Sequence, residues 1–337
     1  KEQREQYAQA QESCEWCRRL RHYLVNQQHL PQDDRPQQLR TENEAPQYTM
    51  LDGLLYRYSG QHDGPGLQLC TPTALRDRLV RMCHQAPTAI HPSPRQMQTL
   101  LGKRHYWPQM NANCEAHVRE CLTCQRAGRP PLAGGDQVKF VPVGKPLSVV
   151  AIDVVGPLGH KDAATARGNR YIVTMIDWFT RYVMMVPVRE PTAEAIAGCM
   201  TQFVARFGAP LTILSDNASY FKDRTLRALE DRLGLKRAFI SAHRPAGNGL
   251  LERFHRTLGR ALKVHIQDQG HVNWDRDLDL LALGYNSMEH SATGYSPHYL
   301  MHGFHPALPF DVVTPVDEEE FVSPVAWAQE VNQRLNR

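Results

Sequence analysis

Three carboxylates stand where chemistry is possible. Asp153 interrupts the apolar run "SVVAIDVV" (148–155), Asp216 closes "PLTILSD" (210–216), and Glu252 lies near the start of "AGNGLLERFHRTLGRALK" (246–263). A charge inside a buried-type strand is costly unless something compensates it. Thirty-five residues separate Asp216 from Glu252. Three converging acids would repel one another and bind protons unless a cation lay between them. Mg²⁺ takes carboxylate oxygens and keeps waters and substrate phosphates in its remaining positions. Two such ions about 3.5–4 Å apart serve both the attacking and the leaving oxygen of an in-line phosphoryl displacement. Each acid also has a plainer reading. A strand Asp is often a hydrogen-bonded structural residue, "SDN" is a common turn, and Glu252 could merely pair with Arg256 at i,i+4.

The segment around Glu252 is amphipathic. Leu251, Phe254, Leu258, Ala261 and Leu262 share one helical face, and Arg253, Arg256, Arg260 and Lys263 share the opposite one. Such a basic stripe is suited to a phosphate backbone.

A second constellation has metal-ligand types and spacing. Six residues separate His84 from His91, and after twenty-nine more come Cys121 and Cys124 as a Cys-x2-Cys pair. Two imidazoles and two thiolates suit tetrahedral Zn²⁺, which would supply folding energy to a segment too short to bury a core alone. Cys14-x2-Cys17, with His22 and His29, is too compact for a usual finger and falls in a helical pattern. Cys70, Cys83, Cys114 and Cys199 read as small buried residues, and His105 and His117 as packing or surface residues.

The elements that would position these groups follow from periodicity. A helix is expected within 6–28, with "PQDDRPQQ" (31–38) as loop. A hairpin is expected between 46 and 69 with Asp52-Gly53 as its turn, and two or three short helices across 73–126. "RAGRPPLAGGD" (126–136) has linker composition. Strands at 148–155, 171–177 and 182–188 follow, then helix 192–208, strand 210–216, helix 223–234, strand 236–240, the amphipathic helix, and helix 274–288. The acidic run 317–320 precedes a helix expected from Ser323-Pro324. This order predicts an α/β fold, a mixed five-stranded sheet flanked by helices.

These motifs together resemble retroviral-type integrases, most of all those of gypsy-type LTR retrotransposons. "AIDVVGPL", "LSDNASYF" and "HRPAGNGLLERFHRTL" match the family's D,D-35-E triad; His84, His91, Cys121 and Cys124 with "RHYWPQM" (104–110) match its zinc domain; "YNSMEHSATGYSPHYLMHG" (285–303) matches a further family stretch. The resemblance runs from about residue 48 to 312. It implies an RNase H-like core at 146–312, preceded by an N-terminal extension (1–72), a small helical His2Cys2 zinc domain (73–126) and a linker (127–145). The segment 313–337 is expected to lead into a further domain, and the start at Lys1 without Met suggests a processed product. The resemblance implies two Mg²⁺ (or Mn²⁺) ions on Asp153, Asp216 and Glu252, and one structural Zn²⁺. It also implies 3′-end processing and strand transfer on double-stranded DNA, with Asn248, Ser219 and Tyr220 near the DNA. Its partners would be element ends, target DNA, further copies of the chain as a tetramer, and chromatin or host factors. It would act in the nucleus after passage through a cytoplasmic virus-like particle. The other class of function is a domesticated, inactive integrase serving as a DNA- or chromatin-binding module.

Two positions depart from the family pattern. Ala218 replaces the usual Gly two residues after the second Asp; if that loop needs positive φ, Ala costs roughly 1 kcal/mol there. Gly259 stands where a basic residue is usual, with Arg260 beside it.

Composition sets few limits. The 337 residues carry a net charge of +4 and 42% hydrophobic residues, ordinary for globular protein. No apolar run reaches the roughly 18–20 residues of a membrane helix, so no membrane partner is expected. Eight cysteines in a chain this long do not make a disulfide scaffold.

Overall fold

The computed structural model describes residues 2–59, 66–86, 91–127, 144–158, 164–239, 258–259, 261–262, 273–290, 292–308, 311, 323, 325 and 329. The acidic run at 317–320 and most of the expected linker lie outside them. No helix among the described residues is long and apolar enough to cross a membrane. The chain divides into two compact units: Lys1–Ala86 with Pro92–Val118 and Ala307–Arg337, and Pro87–His91 with Arg119–Pro306.

In the first unit, helices α1 (Glu2–Ser13), α2 (Glu15–Asn26) and α3 (Arg35–Glu44) precede a hairpin. The single helix expected within 6–28 is thus two, parted at Cys14. The loop expected at 31–38 is overtaken by α3, because the Asp34 side chain and Gln37 form a reciprocal capping box with Pro36 in the first turn. Strands β1 (Tyr48–Leu51) and β2 (Leu54–Tyr58) pair across Asp52-Gly53. Both turn residues have positive φ, 46° and 74°, as a two-residue type I′ turn requires.

β3 (Leu67–Cys70) pairs antiparallel with β2 and parallel with the short β4 (His105–Tyr106), so one four-stranded sheet joins residues on both sides of position 72. Gln11, fully buried, donates to the carbonyls of Leu55 and Cys70 and accepts from Leu55 N. It ties α1 to both strands. Between 73 and 127 there are four described helices rather than two or three: α4 (Thr73–Gln85), α5 (Pro94–Gly102), α6 (Met110–Glu120) and α7 (Leu122–Ala127).

The second unit is built on a five-stranded sheet in the order β7-β6-β5-β8-β9. Its strands are β5 (Val149–Val155), β6 (Tyr171–Asp177), β7 (Val183–Val188), β8 (Thr212–Ser215) and β9 (Lys236–Phe239). β5, β6 and β7 run antiparallel; β8 and β9 add in parallel. This is the mixed sheet expected from the sequence.

Strand alternation feeds two cores. Val150 and Ile152 pack with α8 (Ala193–Phe207), Phe221 and Leu226 of α9 (Arg224–Leu233). Ala151, Ile172 and Met185 pack on the opposite face with Leu258, Leu262, Trp274 and α10 (Leu278–Ser287). α8 starts where Thr192 accepts from Ala195 N and stops at Gly208, φ 94°. α10 starts later than expected: residues 273–277 form a turn in which the buried Asp275 accepts from Thr165 and Asn169. α11 (Pro297–His302) follows.

Candidate active site and metal centre

β5 and β8 set the carboxylates. Their register pairs Val149 with Thr212, Val150 with Ile213 and Ala151 with Leu214. Carried on by two residues, the same offset sets Asp153 opposite Asp216. Adjacent strands are about 4.8 Å apart, so two acids far apart in sequence share one edge of the sheet. Asp153 is half-buried and Asp216 exposed. Oδ1 of Asp153 accepts from Val154 N at 2.7 Å, and Oδ1 of Asp216 accepts from Ala218 N at 3.1 Å.

Tyr220 is near enough to feel the charge of both. Its phenol is pushed up to about 12, first by burial, then by the Asp216 and Asp153 carboxylates. A hydroxyl in that position stays protonated near neutral pH and can donate. Ser219, beside it in a short 3-10 turn (Ser219–Lys222), is exposed.

The concern over Ala218 is corrected. Its backbone is at φ −59° and ψ 151°, which any L residue adopts. Its methyl packs against the core that holds Phe221. No glycine is required there.

Glu252 lies outside the described residues, as do Asn248, Arg253, Arg256, Arg260 and Lys263. The expected apolar face is present where it is described. Leu258, Ala261 and Leu262 are helical and buried, whereas Gly259 is exposed. Leu258 and Leu262 share a cluster with Ala151. By strand alternation that is the sheet face to which Asp153 also belongs.

The second site is complete among the described residues. His84, in the last turn of α4, and His91, Cys121 and Cys124 are all buried, with ligand atoms within 4.8 Å of one another. Nδ1 of His91 is 3.5 Å from each of the two sulfurs. Zn–S of about 2.3 Å and Zn–N of about 2.0–2.1 Å at a tetrahedral angle give an N···S edge of roughly 3.5 Å. Nδ1 of His84 donates to the Pro92 carbonyl at 3.2 Å. That leaves Nε2 as the ligand atom and fixes the ring, as outer-shell partners do. His91 holds φ 48°, an uncommon left-handed conformation outside glycine. The donor set, its burial and its spacing fit a structural zinc ion.

His105 is fully buried beside Thr71, and His117 sits edge-on to His84 at 5.2 Å. Both pack rather than join the cluster. The compact set at the N-terminus does not assemble: His22 bonds Asn26 and His29 bonds Glu42, while Cys14 and Cys17 lie in a core with Leu20 and Leu55.

Comparison with known families agrees with this geometry. Residues 71–130 match the model of the integrase zinc binding domain, and residues 144–245 that of the integrase core domain. The chain carries an integrase zinc-binding domain and an integrase core. Gypsy retrotransposon integrase-like protein 1 of Rattus norvegicus is 27% identical over 233 residues, 69% of this chain and 44% of that protein. The Transposon Tf2-3 polyprotein of Schizosaccharomyces pombe is 25% identical over 293 residues, 85% of this chain and 21% of the polyprotein. This chain thus spans less than half the length of either relative. A solved HTLV-2 integrase catalytic core in complex with magnesium aligns with 48% of this chain and all of its own, at 16% identity and TM-score 0.40.

Asn286 and Asp177 were not singled out in the sequence. Asn286 of α10 accepts from Val183 N at 2.9 Å and donates to Val183 O at 2.8 Å, on the edge strand β7. Asp177 is fully buried and accepts from Leu147 N, Thr180 N and the Thr180 hydroxyl. The one sequence hint was that Asn286 falls within the stretch 285–303.

Proposed function

We propose that this chain is a DNA integrase that processes the 3′ ends of retroelement DNA and joins them to target DNA. The β5–β8 register, which extended by two residues brings Asp153 level with Asp216, within a match to the integrase core domain, carries the reading. Asp153 and Asp216 supply two carboxylates, and Glu252, six residues before the Leu258 that packs on the Asp153 face, would supply the third. When bound, divalent Mg or Mn ions would activate water or a 3′-hydroxyl and stabilise charge on the phosphodiester oxygens.

The chain's own residues do the rest. Asp153 and Asp216 hold one oxygen each on a backbone N–H, which limits how the carboxylates turn. Tyr220, within the field of both carboxylates, keeps its proton. Arg253, Arg256, Arg260 and Lys263 would bind the DNA backbone, with Asn248, Ser219 and Tyr220 as further DNA contacts. His84, His91, Cys121 and Cys124 would hold Zn²⁺ as a folding element. Assembly of several copies on two DNA ends would place both reactions on one target, in the nucleus.

The inactive binding-module reading rested on Ala218 alone, and a relaxed backbone there removes that support. The test is a gel assay of the full chain on branched DNA. Cleavage with rejoining that requires Mg²⁺ or Mn²⁺ is expected. DNA binding without any rejoining would favour the module.

A further inference from the structure

Cys14-x2-Cys17 is the one motif that neither site absorbs. Cys14 is the N-cap residue of the twelve-residue α2, and Cys17 is the third residue of that helix. Residues three apart on a helix are neighbours, with Cβ atoms about 5–6 Å apart, and the Cys14 and Cys17 side chains hydrogen-bond to each other; closing a disulfide, whose Cβ atoms stand about 3.5–4.5 Å apart, needs a further approach of about 1–2 Å. Cys14 retains 9% exposure, whereas Cys17 and Cys70 beside it retain none. The Cys14 sulfur also lies 3.5 Å from the Thr73 hydroxyl. Cys14 and Cys17 are both buried, and Cys14 is the less enclosed of the pair.

We propose that Cys14 and Cys17 form a reversible redox site that takes a low-molecular-weight disulfide as its oxidant. The Cys14 thiolate attacks one sulfur of glutathione disulfide and forms a mixed disulfide, releasing the first glutathione. Cys17 then displaces the second glutathione from Cys14 and closes the Cys14–Cys17 bond. Two protein thiols are oxidised, one glutathione disulfide is reduced to two thiols, and the two thiol protons leave with them. The electrostatics suit this order. The neighbouring Cys17 thiol holds Cys14 well below the usual thiol range, aided by hydrogen bonds that outweigh burial. A helix N-terminus favours a thiolate in the same way. Cys17 is pushed up by Cys14 and then by burial. The other thiols lack this feature: burial raises Cys70, Cys83, Cys114 and Cys199.

The test equilibrates the zinc-loaded full chain with glutathione buffers of increasing disulfide fraction, quenches by alkylation and maps each cysteine by mass spectrometry. One Cys14–Cys17 disulfide is expected, with Cys70 and Cys199 still reduced. In Cys17→Ala, Cys14 should instead accumulate as the mixed disulfide with glutathione. Independently of any variant, iodoacetamide should modify Cys14 at least about tenfold faster than Cys199 at pH 6, since only a thiolate reacts. Alkylation of Cys14 no faster than Cys199, or oxidation that yields no 14–17 bond, would overturn the proposal.

Discussion

The parallel register of β5 and β8, which pairs Ala151 with Leu214, brings Asp153 level with Asp216, the residue that directly follows β8. That relationship turns two scattered acids into one candidate site. It rests on β5, which is central to the sheet and paired on both sides, and on the first residue after β8. The consequences below follow from it and from the groups that hold the sheet and the zinc cluster in place.

Ala218→Gly should not improve activity. Ala218 has negative φ and its methyl packs on the core. Glycine there gives freedom chiefly to the unfolded chain and is expected to cost roughly 0.4–1 kcal/mol. Urea denaturation and strand-transfer rate measured together check this; a gain in rate would mean that the loop needs a glycine backbone.

Asn286→Leu should destabilise the core by about 2 kcal/mol. It removes two buried hydrogen bonds and strands the N–H and C=O of Val183 on the edge strand. Chemical denaturation of the two proteins gives the difference. A change within about 0.5 kcal/mol, the range typical of an exposed site, would show that β7 does not rely on this amide.

Zinc removal should unfold the region around His84, His91, Cys121 and Cys124 and spare the five-stranded sheet. One zinc per chain is expected by elemental analysis, and Cys124→Ser should lose it. Hydrogen exchange after chelation should rise across 71–127 far more than in β5 and β6. Uniform exchange before and after chelation would exclude a structural metal.

Stability should fall in mild acid. Burial lowers His298 and, together with His298, lowers His302 from the ordinary value of 6.5. The unfolded chain then binds more protons than the folded one in the window just below pH 6.5. Stability from these neutral rings is complete above that pH and is lost as pH falls toward the lower folded values. His302→Phe, within a ring cluster with Tyr182 and Phe207, should flatten the melting temperature between pH 7 and 5. An unchanged slope would place the titrating group elsewhere.

Much of the core was legible because its strands are short apolar runs separated by capped helices. Tyr171–Asp177 begins and ends where the sequence places it, and Thr192 and Gly208 bound α8 as expected. Asp153 and Asp216 could be picked out because charge in such strands needs a reason. Asn286 and Asp177 could not. Their partners are set by how α10 and the turn at Thr180 pack, which no local period encodes. The same holds for β4, two residues long, whose pairing with Leu69 and Cys70 is wholly tertiary. Tyr220 was read as a DNA neighbour from its stretch, but its place beside both acids follows only from the strand register. Ala218 misled because residue type was read as backbone angle.

The most direct measurement compares metal-dependent strand transfer on branched DNA by the intact chain and by Asp153→Asn, Asp216→Asn and Glu252→Gln, with DNA affinity measured alongside. Each variant should lose at least about 10²-fold in rate, the scale of removing one preorganised electrostatic group, while binding DNA as before. Rejoining that persists undiminished in Asp153→Asn would contradict the account.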